Sequence, residues 1–193
     1  MLTPMSNLPE NARFEKRYVI EGDMMEAKEK FYELAKSRIR HLNNAQTVEW
    51  VKTGIGVGHE ASAGCVVAAD KKMTPEGNVE KWVEGLEIII NDDALAGFED
   101  IVPFVVEHEL YEMWLTSKKG AGQNLTPRQM HLLSRRKQYL AAEEAGKGER
   151  LLEFHTREAL KHGKETPLLK QECEEALAYA KRRIEARRKA NKN

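Results

Sequence analysis

The sequence lacks most of the features that mark secreted, membrane-spanning or disulfide-linked proteins. Only two cysteines occur among its 193 residues, Cys65 and Cys173. They are far apart, which excludes a disulfide framework and a cysteine-based zinc site. The first ten residues show no basic segment followed by an apolar one, and no apolar run approaches the roughly 18 residues of a membrane span. We therefore expect a cytoplasmic protein that neither carries a signal peptide nor inserts into a membrane.

The chain also lacks a net charge, since 31 basic and 31 acidic residues balance. This balance argues against a protein that is basic throughout and coats nucleic acid. The charges are nevertheless distributed unevenly. Between Glu76 and Glu112 there are eleven acids and one base, Lys81, whereas residues 181–193 contain seven bases and one acid. The acidic region favours a bound cation, and the basic tail is where we expect any contact with nucleic acid or an acidic partner.

The hydrophobic pattern predicts an α+β fold in a single domain over residues 1–193, with a loose N-terminus (1–12) and a basic helical tail (181–193). Apolar spacing predicts a helix over Asp23–Leu42. Alternating and β-branched stretches then predict a small antiparallel sheet of three or four strands, including Thr47–Val51, Cys65–Ala69 and Leu86–Asn91.

The second half of the sequence predicts a run of packed helices. Thr126 and Gln129 form a capping-box pattern with Pro127 at the first helical position. Gly146 and Gly148 should interrupt the chain of helices. The predicted helices run from Glu99 or Asp100 to Ser117, from Thr126 to about Ala145, from about Glu149 to His162, and from Thr166 towards the C-terminus.

The first of these helices contains the most informative segment of the sequence. His108 and Glu112 are four residues apart and therefore point to the same face of the helix. That face is otherwise apolar, so an imidazole and a carboxylate on it need partners. A divalent metal is one such partner, since zinc binds histidine nitrogen and carboxylate oxygen. Glu109 lies about 100° around the helix, close enough to reach a water on that metal.

The segment His108-Glu109-Leu110-Tyr111-Glu112 resembles the H-E-x-x-H helix of zincin metallopeptidases. The second histidine of that motif is replaced here by Glu112. In the gluzincin branch a third ligand, a glutamate, follows at about the interval that separates Glu112 from His131, which is 18 intervening residues. We infer that glutamate and histidine have exchanged places, so that His108, Glu112 and His131 bind zinc.

The resemblance implies a zincin-like fold and a function as a metal-dependent hydrolase that cleaves peptide bonds. Glu109 would act as general base on the metal-bound water. The strand Ile88–Ile90 would align the substrate by pairing with its backbone, and Tyr111 is a weaker candidate for stabilising the oxyanion. The expected cofactor is zinc and the expected partner is a peptide or protein substrate.

Two alternatives remain open at this stage. His108 and Glu112 can form a purely structural pair, and His155 and His162, seven residues apart, can supply the third ligand in place of His131. The protein can also be a non-catalytic scaffold whose basic tail contacts nucleic acid or a protein partner. Gly54–Gly58 does not predict a nucleotide site, because it lacks the ending of a phosphate-binding loop.

Overall fold

The computed structural model describes residues 22–52, 65–69, 83–116, 125–162 and 166–191. In these ranges a small sheet lies among helices, and a 3-10 turn (Glu99–Ile101) leads into the third helix. The elements are α1 (Gly22–Lys36), β1 (Ile39–Leu42), α2 (Asn44–Lys52), β2 (Cys65–Ala69), β3 (Leu86–Asn91), α3 (Val102–Thr116), α4 (Pro127–Glu144), α5 (Gly148–His162) and α6 (Thr166–Ala190).

The sheet is mixed, so the prediction of a zincin-like antiparallel sheet is wrong. Its strand order is β1-β3-β2. β1 runs parallel to β3, with Ile39 opposite Ile88, and β2 runs antiparallel to it, with Cys65 opposite Ile90. Because β3 has a neighbour along both edges, residues 88–90 have no free edge to offer a substrate. The predicted pairing of this strand with a peptide is therefore wrong as well.

Side-chain hydrogen bonds explain why the first half differs from its predicted pattern. The helix expected over residues 23–42 ends at Lys36. The chain turns there and enters the sheet as its first strand, β1. The Arg38 side chain fixes that turn, since it donates to the carbonyl oxygens of Leu86 and Glu84. Apolar spacing alone cannot distinguish this helix–turn–strand from a longer helix.

The strand predicted over residues 47–51 is part of α2. Its N-terminus has a reciprocal cap: the Asn43 side chain accepts from the backbone N–H of Gln46, and the Gln46 side chain accepts from that of Asn43. This arrangement is a capping box with asparagine and glutamine in the two positions. It stabilises a helix in a segment whose alternation favours a strand.

The helices of the second half are confirmed. α3 packs against the sheet, α1 and α4, while α4, α5 and α6 pack on one another. Trp114 of α3 is buried and its ring lies 5.8 Å from that of Phe31, so α1 and α3 share one core. The Thr126 capping box is present at the start of α4, and Gly146 adopts a positive φ of 70° just after its end. The sheet, α1 and α4 therefore hold α3 on three sides.

The basic tail is helical as far as Ala190. Part of its charge is neutralised within the protein, because Lys181 pairs with Glu149, Arg187 with Glu144 and Lys189 with Glu185. None of the helices in the described ranges has the length and apolarity needed to cross a membrane. The loose N-terminus predicted over residues 1–12 and the glycine-rich stretch 54–58 lie outside these ranges.

Candidate metal centre

The three predicted metal ligands converge between α3 and α4. His108 Nε2 and His131 Nδ1 each lie 3.3 Å from Glu112 Oε2. The two imidazole rings meet edge to face, with centroids 4.8 Å apart. One potential ligand atom from each of the three side chains lies within 4.8 Å of the others. The interval of 18 residues therefore corresponds to a real contact between consecutive helices.

Burial and hydrogen bonding set the charge of this group. His108 is only 5 % exposed, and this burial lowers its pKa to about 4. Burial on its own would raise the pKa of Glu112, but hydrogen bonds from His108 and His131 outweigh it and hold that pKa far below its ordinary value. At neutral pH the centre therefore presents a neutral His108 beside a carboxylate.

Glu109, the predicted general base, is half-buried beside this group. Burial, followed by the negative charge of Glu112, raises its pKa to about 8, and Arg135 opposes this shift. A pKa close to neutral is the property that suits a side chain to take up and release a proton. No hydrogen bond joins its carboxylate to another residue in the described part of the chain.

A buried hydrogen-bond network continues from His131 towards α5. Arg135 is only 6 % exposed; its Nη2 lies 2.9 Å from His131 Nε2 and its Nη1 lies 2.8 Å from His155 Nε2. His155 Nδ1 in turn lies 2.9 Å from the Tyr139 hydroxyl. Burial, followed by the charge of Arg135, lowers the pKa of His155 well below its ordinary value. His155 is therefore a buried member of this network.

Arg135 also determines which nitrogen of each histidine carries the proton. A guanidinium group has donors and no acceptor, so the Nε2 atoms of His131 and His155 must both accept. The remaining hydrogen of His131 then lies on Nδ1 and points to Glu112, and that of His155 points to Tyr139. The negative charge of Glu112 and the positive charge of Arg135 therefore lie on opposite sides of the His131 ring.

The donor set fits a divalent metal with one condition. Two imidazoles and a carboxylate are the ligand types of catalytic zinc sites, and the edges of a zinc tetrahedron are about 3.3–3.4 Å long at metal–ligand distances of 2.0–2.1 Å. Both contacts of Glu112 Oε2 match that length. A metal-bound histidine normally donates its second N–H to an acceptor. His131 instead faces a donor, so metal binding requires Arg135 to release it.

The sequence predicted the convergence of these three side chains but not their neighbours. Arg135 and Tyr139 follow His131 at intervals of four residues, which places them near one face of α4. That periodicity is the signal that could have revealed them. His155 contacts Arg135 and lies away from the proposed ligands, so it is not brought to the centre as a third ligand. The side chain of His162 lies outside the described residues.

Comparison of the chain with protein-family models, with curated proteins and with solved structures finds no match. The resemblance to zincins therefore rests on the sequence motif alone.

Proposed function

We propose that this protein is a metal-dependent hydrolase whose metal is held by His108, Glu112 and His131. The observation that carries the proposal is the convergence of these side chains, with Glu112 Oε2 lying 3.3 Å from both imidazoles. A metal bound there would supply a water of lowered pKa and polarise the scissile carbonyl. Zinc is the metal that we propose, because two histidines and one carboxylate form a known catalytic zinc site.

Glu109 is the residue of this chain that would move protons. Its carboxyl lies on the same helix as two of the ligands, and in its ionised form it would accept a proton and return it to the leaving group. Arg135 would set the availability of His131 through the contact between Nη2 and Nε2. Peptide bonds are the proposed substrate because of the resemblance of the helix to the zincin motif.

Metal analysis combined with a hydrolysis assay tests this proposal. The purified protein is dialysed against zinc and its bound metal is measured by plasma mass spectrometry. Labelled casein and pooled synthetic peptides serve as substrates. We expect about one zinc per chain, loss of zinc in His108→Ala, and retention of zinc with at least a 100-fold loss of hydrolysis in Glu109→Gln.

Glu107→Gln is a matched control on the same helix, since Glu107 pairs with Lys137 and does not contact the ligands. It should keep both zinc and hydrolysis. Wild-type protein that binds no zinc under these conditions would refute the proposal, as would Glu109→Gln with unchanged hydrolysis.

A second candidate is a non-catalytic protein whose α6 binds nucleic acid. It is favoured by the Arg135 contact, which balances the charge of Glu112 without a metal. Three exposed arginines on the last turns of α6, Arg182, Arg183 and Arg188, also form no ion pair within the described residues. Under this alternative the protein would bind labelled RNA or DNA with a steep salt dependence and would bind no zinc.

A further inference from the structure

A second group of polar side chains lies where α1, α3 and α4 meet, and we refer to it as the lysine–tyrosine cluster. It consists of Lys28, Tyr32, Glu107, Tyr111 and Lys137. The Lys28 ammonium lies 5.4 Å from the centroid of the Tyr32 ring and 4.8 Å from that of Tyr111. The Lys137 ammonium lies 5.9 Å and 5.4 Å from the same two centroids. Two cations therefore share two aromatic rings.

The cluster has one more positive charge than it has negative charges. Glu107 pairs with Lys137. In the part of the chain that the structure describes, no carboxylate pairs with Lys28. Burial, followed by the nearby charge of Lys137, lowers the pKa of Lys28 to about 8. The contacts with the aromatic rings compensate the charge of Lys28 only in part, and a bound anion would complete that compensation.

Tyr32 supplies a second donor that lacks an acceptor. Its hydroxyl is buried and has no hydrogen-bond partner among the described residues. Burial, and then the negative charge of Glu107, raises the pKa of Tyr32 above its ordinary value, so the hydroxyl keeps its proton. Lys28 and Tyr32 are four residues apart on α1 and share one face. An ammonium and a hydroxyl that have no acceptor among the described residues therefore lie on one face of α1.

We propose that the lysine–tyrosine cluster binds a small organic carboxylate, whose oxygens accept hydrogen bonds from Lys28 and Tyr32. One negative charge would neutralise the surplus positive charge, and the two tyrosine rings would contact the hydrocarbon part of the ligand. A phosphate suits the cluster less well because it carries up to two negative charges at neutral pH. The proposal does not depend on a metal, since Lys28 and Tyr32 lie on α1, whereas the proposed metal ligands lie on α3 and α4.

Calorimetric titration at pH 7 with three probes tests this inference: benzoate, benzyl alcohol and inorganic phosphate. We expect saturable binding of benzoate, at least tenfold weaker binding of benzyl alcohol, and weaker binding of phosphate. Lys28→Met should weaken benzoate binding at least tenfold and Tyr32→Phe about threefold or more. Lys36→Met is the matched control on α1, because Lys36 is exposed and pairs with Glu33.

A measurement on the wild-type protein avoids any effect of substitution on folding. Lysines are methylated with formaldehyde and borohydride, and the modified sites are read by mass spectrometry. Saturating benzoate should slow modification of Lys28 and leave that of Lys36 unchanged. Equal protection of both lysines, equal binding of benzyl alcohol, tighter binding of phosphate, or unchanged binding in Lys28→Met would each overturn the inference.

Discussion

Replacing Glu109 by glutamine should stabilise the metal-free protein, and the gain should depend on pH. Burial raises the pKa of Glu109 from 4.5 to about 8. In the unfolded chain the carboxyl loses its proton near pH 4.5, whereas in the folded protein it keeps that proton until about pH 8. Folding therefore takes up a proton in this range, and the free energy of unfolding falls as the pH rises from 4.5 to 8. Glutamine resembles the protonated acid and has no such penalty.

The expected size follows from the pKa difference. At pH 7 the unfolded carboxyl is 2.5 pH units above its pKa of 4.5, and the folded one is still protonated. At 1.36 kcal/mol for each unit, the penalty reaches about 3 kcal/mol. Because the side chain is only half-buried, we expect Glu109→Gln to raise the free energy of unfolding by about 1–3 kcal/mol at pH 7 and by about zero at pH 4. In a chain of this size the gain at pH 7 corresponds to roughly 2–12 °C in Tm.

Urea unfolding followed by circular dichroism at pH 4, 5.5, 7 and 8 measures this difference, with a chelator present so that no metal contributes. Glu84→Gln is the control, because the Glu84 side chain is exposed. The difference between Glu84→Gln and wild type should stay near zero at every pH. A Glu109→Gln variant that is destabilised at pH 7, or that gains the same amount at pH 4 as at pH 7, would refute the reasoning.

Three further predictions concern the same helices. Arg135→Gln replaces a permanent donor to His131 with an amide that can also accept a hydrogen bond. The zinc affinity of this variant, measured in a competition titration, should therefore exceed that of the wild type at least about tenfold. Unchanged affinity would contradict the role of Arg135. Because burial lowers the pKa of His108 from 6.5 to about 4, stability should fall by up to about 3 kcal/mol as the pH falls from 6.5 to 4, and His108→Asn should lack this part of the acid sensitivity. Thr126→Ala removes the cap of α4 and should cost about 1 kcal/mol by urea unfolding, whereas Ser37→Ala, which alters only an exposed turn, should cost less.

The second half of the fold could be predicted because its signals are local. Thr126, Pro127 and Gln129 fix the start of α4 through contacts within one helical turn. Gly146 ends that helix with a positive φ that other residues rarely adopt. The interval from Glu112 to His131 predicted a contact between two consecutive helices, which needs only a short connection to form.

The sheet could not be predicted in the same way, because its pairing depends on contacts distant in sequence. Ile39 lies opposite Ile88, and Arg38 reaches the carbonyls of Glu84 and Leu86. Nothing within residues 23–42 indicates that the chain leaves the helix to join a strand almost fifty residues later. Arg135 was missed for a related reason: its partner His155 lies on a different helix, so only the four-residue spacing from His131 pointed to Arg135.

Arg135 and a bound metal would both act on Glu109 and Glu112. The ability of Glu109 to serve as a base would therefore depend on whether the metal is bound. Without a metal, Arg135 balances Glu112, and burial keeps Glu109 protonated up to about pH 8. A protonated Glu109 cannot serve as a base. The two positive charges of a metal held by His108, Glu112 and His131 would favour the ionised form of Glu109. Metal binding and activation of the base would therefore occur together. The stability gained in Glu109→Gln should then disappear when zinc is added, because zinc removes the penalty that the substitution relieves.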